Sequence, residues 1–348
     1  MKRRVPVALI SIVLVAGLVG ASLATAQDGP TATGEEVTFI DPDGIIRGTV
    51  TVREVADPFT GYDPGYQAEE ATRIVMLTVT FQAALDQQFD AQPSQVMLQA
   101  DDGSLWTSVY VPRPADSTIP DLQGQLMAPD NRVSGVITYA VPEDRTIERV
   151  LYQPAYDRLL DLLELVPEGG PAPGEAITYT DAKGSSASIS GELVDPFTEY
   201  DPANPPAEGT RFATLRPIFE NVGTLPYVAD PYDLAVRDAS GFLYTPSTVY
   251  RPPGFSVPLL ESQTMSPGDR VSGLVGFVVP AEARLTSVIY FPESYRLVTL
   301  ANLDGRTSEP SEPAPPDATP APVATAAPVA SPTPVASPTP DASAGIGR

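Results

Sequence analysis

Apolar residues recur along this chain in short runs, not in long helical stretches. Residues 45–55 are rich in β-branched side chains, and 74–81 form an apolar run with Thr78 and Thr80 interspersed. Residues 96–98 lead into the turn Asp101-Asp102-Gly103, and further runs follow at 105–111, 133–141 and 147–152. Short strands separated by Gly, Pro and Asp turns predict a β-sandwich or barrel. Pro falls mainly at the ends of these runs, where a missing N–H costs no ladder bond. The stretch 156–165 carries Leu at helix-like spacing. Its counterpart at 294–303 contains the β-branched Val298 and Thr299, and both are read as strands.

The pattern occurs twice, at a constant offset of 138 positions. Asp57-Pro-Phe-Thr-Gly-Tyr-Asp-Pro64 recurs as Asp195-Pro-Phe-Thr-Glu-Tyr-Asp-Pro202. Thr72-Arg73 matches Thr210-Arg211, and Arg132-Val-Ser-Gly135 matches Arg270-Val-Ser-Gly273. Tyr152-Gln-Pro154 matches Tyr290-Phe-Pro292. A period this long predicts two copies of one domain, not a solenoid. Val109-Tyr110 best matches Val249-Tyr250, at 140, which predicts a small shift in that loop. The domains are set at 31–168 and 172–304, with a Pro- and Gly-rich connection around a linker at 169–171. That connection is poor in apolar residues, so each copy is expected to fold alone.

The two ends differ from the repeats. Lys2, Arg3 and Arg4 precede an apolar run from about Val5 to Leu23, followed by Ala24-Thr25-Ala26. This order predicts a secretory signal peptide over 1–26, with an uncleaved membrane anchor as the alternative. Residues 307–348 are rich in Pro, Ala, Ser and Thr, and Val329-Ala-Ser-Pro-Thr-Pro334 repeats as Val335-Ala-Ser-Pro-Thr-Pro340. Such a segment cannot offset its ordering entropy by apolar burial, and a disordered, polyproline-rich tail is expected. The expected location is secreted or extracytoplasmic.

Composition removes several chemistries. There is no Cys, so disulfides and thiol nucleophiles are absent, and no His, so the Ser-His-Asp triad and zinc sites of ordinary type are absent too. The formal net charge is −23. So acidic a chain repels nucleic acid and anionic lipid, which makes both poor partners.

The order of the turn motifs resembles a bacterial secreted immunoglobulin-like domain family of unknown function. That family is related in fold to the mycobacterial secreted immunoprotective antigen. The second copy carries the pattern in Gly209-Thr-Arg-Phe212, Asn221-Val-Gly223, Val236-Arg-Asp-Ala-Ser-Gly-Phe-Leu-Tyr244 and Pro267-Gly-Asp-Arg-Val-Ser-Gly273. The first copy departs from it, with Gln82-Ala83 at the Asn corner, Trp106 for the Tyr and Pro129-Asp130-Asn131 for Pro-Gly-Asp. Pro217 falls inside the long strand of the second copy and removes one of its ladder donors. The resemblance implies an all-β chain of two tandem immunoglobulin-like β-sandwich domains and a secreted location. It supplies no catalytic residues.

Without His or Cys, an enzyme would rely on paired carboxylates. Asp63, Asp101, Asp102 and Asp130 all lie in predicted loops, where closing a turn accounts for Asp beside Gly or Pro. Asp102 and Asp130 face Ser240 and Gly268 at the matched positions. Asp41-Pro-Asp-Gly44 offers hard oxygen ligands but lacks the EF-hand spacing. No catalytic residue, cofactor or metal ligand is therefore assigned. Tyr152, Tyr290, Phe81 and Phe219 are expected in the core; Tyr62, Tyr66, Tyr110, Tyr200 and Tyr250 fall in loops. The candidate interaction loop is Phe59, Tyr62, Phe197 and Tyr200. The expected function is a non-enzymatic interaction or structural module acting on an unknown protein or glycan of the cell envelope. The alternative is a carboxylate-based hydrolase of extracellular polymers, which two close acids in a concave cleft would favour.

Overall fold

The computed structural model describes residues 32–166 and 170–303. The expected signal peptide and tail, and position 169 of the expected linker, lie outside the described residues.

The first half contains β1 (Val37–Ile40), β2 (Ile46–Ala56), β3 (Thr72–Ala83), β4 (Phe89–Ala91) and β5 (Val96–Ala100). It continues with β6 (Leu105–Trp106), β7 (Gln125–Met127), β8 (Arg132–Pro142), β9 (Ile147–Ala155) and β10 (Arg158–Glu164). One sheet has the order β1-β2-β3-β8, a second has the order β10-β9-β5-β6, and β4 pairs with β7. The second half opens with β11 (Ile177–Thr180), β12 (Ser186–Val194), β13 (Thr210–Asn221), β14 (Tyr227–Ala229) and β15 (Leu234–Asp238). It closes with β16 (Leu243–Tyr244), β17 (Gln263–Met265), β18 (Arg270–Ser272), β19 (Val275–Pro280), β20 (Leu285–Glu293) and β21 (Arg296–Asn302). Its sheets are β11-β12-β13 with β18 and β19 on the far side of β13, β16-β15-β20-β21, and the β14-β17 pair. All of these strand pairs are antiparallel, and the chain is all-β and sandwich-like. The Leu-rich segment 156–165 contains strand β10, a strand as read.

Each half encloses its own core. Val50, Val79, Phe81, Leu98, Tyr139 and Tyr152 meet in the first, and Ile189, Leu215, Phe219, Phe277, Val288 and Tyr290 in the second. The inner sheets are buried on both faces. Along β5, Val96, Leu98 and Ala100 enter the first core while Met97 points to the opposite side, where it joins a third cluster shared with the second half. A strand covered on both faces reads as an uninterrupted apolar run, which explains the spacing of Leu159, Leu160 and Leu162.

One sequence expectation is corrected. The loop at 109–112 does not shift against its counterpart. The Val109 and Ser247 amides donate to Thr138 and Gly276, and the Asp63 and Asp201 amides to Pro112 and Tyr250, all at the constant offset. Val111 is buried like Val249, whereas Val109 is 41% exposed, so side-chain direction, not the Val-Tyr likeness, sets the alignment. The real length difference lies upstream, where β2 bulges between Val52 and Glu54 while β12 pairs with β13 without interruption. Pro217, in turn, does not end strand pairing. It sits opposite Gly191 on β12, and its missing donor falls at the gap between β18 and β19, where the first half has the continuous β8.

The motif residues close turns. The Asp238 carboxylate accepts from the Ser240 and Phe242 amides and from the Tyr244 hydroxyl. The Asn221 amide donates to the Leu225 and Met265 carbonyls. Asp57 and Asp195 form two-pronged ion pairs with Arg73 and Arg211, whose guanidinium groups also reach the Pro142 and Pro280 carbonyls.

Candidate functional site

The two halves meet through the outward faces of their inner sheets. Met97, Leu151 and Leu159 of the first half pack with Leu243, Ile289 and Leu297 of the second, and Leu105 and Phe291 lie against them. Leu151 matches Ile289, Leu159 matches Leu297, and Leu105 matches Leu243 at the repeat offset. The contact is therefore pseudo-twofold, the same patch used from both sides.

Backbone bonds obey the same symmetry. The Leu105 amide donates to the Tyr295 carbonyl at 2.7 Å, and Leu243 donates to Asp157 at 2.9 Å. Leu159 donates to Gly241 at 2.8 Å, and Leu297 donates to Gly103 at 2.9 Å. Gly103 and Gly241 have φ of +80° and +84°, and a Cβ there would stand 2.5 Å from the Leu297 carbonyl oxygen and 2.4 Å from that of Leu159. Only glycine permits both this backbone turn and this approach.

Side chains around the seam break the symmetry. Arg296 donates to Asp102 at 2.7 Å. Its counterpart Arg158 has Ser240 in place of that acid, and its guanidinium lies 3.5 Å from the centroid of the Phe242 ring instead. Arg237 pairs with Asp161 at 2.9 Å, Arg149 reaches both Asp161 and Thr299, and Gln99 donates to the Leu297 carbonyl at 2.8 Å. These polar links cross between halves or lie beside the crossing, and they fit one half to the other.

A cleft of about 530 Å³ opens along one side of the seam, lined by Asp101, Asp102, Arg145, Glu148 and Arg296 among others. Burial works against the Asp102 charge, but the Ser104 amide and hydroxyl and the Arg296 guanidinium outweigh it and hold the carboxyl below the usual carboxylate range. Arg145 lies 3.4 Å from the same carboxylate and 3.9 Å from Asp101. An acid held ionised in this way accepts hydrogen bonds but does not deliver a proton near neutrality.

None of Phe59, Tyr62, Phe197 and Tyr200 lines this cleft. Their loops attach to the outer sheets, with the Phe59 amide on the Ile74 carbonyl and the Phe197 amide on the Phe212 carbonyl. Phe59 is half-buried and stands edge-on to Tyr62, which stands edge-on to Tyr66. Phe197 is buried with Phe212, Val249 and Leu274, and Tyr200 packs at the margin of that cluster. Of the four residues of the sequence-derived loop, Phe197 is buried and Phe59, Tyr62 and Tyr200 are half-buried. Among the five loop tyrosines named from the sequence, Tyr110 and Tyr250 are the more exposed.

The loop acids are occupied. Asp41 accepts from the Asp43 and Ile45 amides and pairs with Arg47. Asp63 accepts from the Gly65 amide, and Asp130 turns the backbone at φ +63°, where the second half has Gly268 at +82°. Among the described residues, no group of three or more His, Cys, Asp or Glu is placed to hold a metal ion. No helix among them is long and apolar enough to cross a membrane.

Sequence reasoning missed Arg149, Arg158, Asp161, Arg237 and Arg296. Their signal was the both-face apolar pattern of β5 and β10, which requires a second covering layer and hence a seam.

Asp233 is the most displaced acid. Burial, aided by the Asp230 charge, pushes its carboxyl up to about 6 from an ordinary value of 3.8. The folded state then holds a proton that the unfolded chain releases between those values, so this contribution to stability falls as pH rises through that window. The first half has Gln95 at the matched position. Asp233→Gln is expected to raise stability at pH 7 by about 1–2 kcal/mol, discounted for solvent around a half-buried group, and to leave it unchanged near pH 3.5. Denaturant titrations of both proteins across that range check this, and an equal difference at both ends would refute it.

No family model and no curated protein matches the chain. Among solved structures, the crystal structure of the yjhA protein from Bacillus subtilis matches at 17% identity over 34% of this chain and 78% of that chain. The TM-score is 0.25.

Proposed function

We propose that this protein is a secreted or cell-envelope interaction module, non-enzymatic, built from two immunoglobulin-like sandwiches at 31–168 and 172–304. They are joined into one unit, behind a signal peptide over 1–26 and ahead of a disordered tail over 307–348. In this reading it belongs with the bacterial secreted immunoglobulin-like domains its turn motifs resemble, and it engages a protein or glycan of the cell envelope. The observation that supports the module over the hydrolase is the pairing of the seam acids. Asp102 is bound by Arg296, which helps hold it ionised, so it is not poised to give up a proton, and Asp161 is paired with Arg237.

The hydrolase reading keeps one point in its favour, since Asp101, Asp102 and Glu148 share a concave cleft. The test is incubation of the secreted chain with purified peptidoglycan and envelope polysaccharides, measuring sedimentation and release of reducing ends. Co-sedimentation without release is expected. Release that disappears in Glu148→Gln or Asp101→Asn would establish the hydrolase instead.

A further inference from the structure

A pocket of about 400 Å³ lies at the end of the first sandwich, apart from the seam cleft. Phe39, Phe89, Leu126 and Pro154 give it apolar walls, and Tyr152 and Gln95 supply polar groups. Tyr152 is 0% exposed, and its hydroxyl meets no hydrogen-bond partner among the protein groups. The Gln95 Oε1 is also buried and unmatched, while its Nε2 donates to the Pro154 carbonyl at 3.3 Å. Gln95 directly precedes Val96, the register partner of Tyr152 across β5 and β9. Buried polar atoms are rarely left unmatched, because each costs its full desolvation.

The second half fills the same place differently. Tyr227 stands where Phe89 does, and its hydroxyl bonds that of Tyr290, the counterpart of Tyr152, at 2.5 Å. In the first half Phe89 lacks that oxygen. The charges at the rim do not supply it either. Asp41 and Arg47 are bound to each other, and Asp90, exposed, accepts from Gln92. An anion would meet Asp41 and Asp90 unfavourably, and the aromatic walls favour an apolar body.

We propose that this pocket binds a small neutral molecule consisting of an apolar ring bearing a hydroxyl. The Tyr152 hydroxyl donates to the ligand oxygen, and the ligand hydroxyl donates to Gln95 Oε1. The ring lies against Phe39, Phe89 and Leu126. This site does not rest on the interaction-module reading of the seam.

The probe is p-cresol, titrated into the full chain by calorimetry and ligand-observed NMR, with toluene as the ring without a hydroxyl. Saturable binding of p-cresol is expected, with toluene weaker by about tenfold, the scale of a hydrogen bond to a buried group. Tyr152→Phe and Phe89→Tyr are each expected to weaken p-cresol by a similar factor, the first by removing the donor and the second by satisfying it internally. Phe89→Tyr should also melt higher than the parent, since it rebuilds the Tyr227–Tyr290 arrangement. If Tyr152→Phe fails to fold, Phe89→Tyr carries the comparison. Absence of saturable binding to the parent, even with a higher melt for Phe89→Tyr, means the slot takes water only and overturns the proposal. Equal affinity for toluene and p-cresol, or unchanged p-cresol affinity in the folded variants, overturns it as well.

Discussion

Cleaved at a protease site placed within residues 167–169, the two halves are expected to elute together as one particle of the intact size. The seam between them is a shared apolar cluster and four symmetric backbone hydrogen bonds, not a touching of surfaces. The expectation of independent copies, drawn from the polar connection, therefore gives way to one of mutual dependence. Leu151 sits at the centre of that cluster with 0% exposure. Leu151→Asp puts a carboxylate there without a partner, at a cost of roughly 4–5 kcal/mol. In the cleaved protein this substitution should separate the fragments on size exclusion or precipitate them. Leu151→Val, which removes one methylene, should cost only about 1 kcal/mol and leave them joined. Fragments that separate without any substitution, each melting cooperatively, would show that the seam holds little energy.

Phe197→Ala is expected to destabilise the protein by about 3–5 kcal/mol, as for a buried ring whose site cannot collapse. Phe197 is 6% exposed and is ringed by Phe212, Val249 and Leu274, with Phe255 edge-on at 6.2 Å. Phe59→Ala should cost less, because Phe59 is only half-buried and its nearest aromatic contact is the loop residue Tyr62. Thermal and denaturant melts of the two variants rank them. A smaller loss for Phe197→Ala than for Phe59→Ala, or loss of envelope binding without loss of stability, would return these loops to the status of a binding rim. The unequal effects would also show that matched motifs in two copies need not do equal work.

Much of the fold was legible because its signals are local. Turn residues stand at the strand ends, β-branched runs mark the strands, and the repeat of Asp-Pro-Phe-Thr-x-Tyr-Asp-Pro locates both copies. The Arg73–Asp57 and Arg211–Asp195 pairs were not predicted, although all four residues belong to the matched stretches. A sequence states that two residues recur together, and only the folded chain shows that they touch. The candidate site was less legible still. Phe197 was named as a candidate interaction residue from its place in a loop motif, and its burial depends on what the neighbouring strand presents, since Phe212 and Val249 close over that ring.

The strand content, the recurrence of the turn motifs at one offset and the exclusion of thiol and imidazole chemistry follow from the sequence alone, because each depends on residue identity or spacing. The pairing of the halves does not. It brings Asp102 to Arg296 and Arg237 to Asp161 across long separations in the chain, with Phe242 beneath Arg158 where symmetry would call for an acid. Those contacts exist because β5, β9, β10, β20 and β21 carry apolar residues on both faces, and burial of the second face requires another sheet. The requirement can be read from the sequence, but which sheet meets it, and in what register, depends on side-chain packing and backbone bonds that form only when the whole chain is folded.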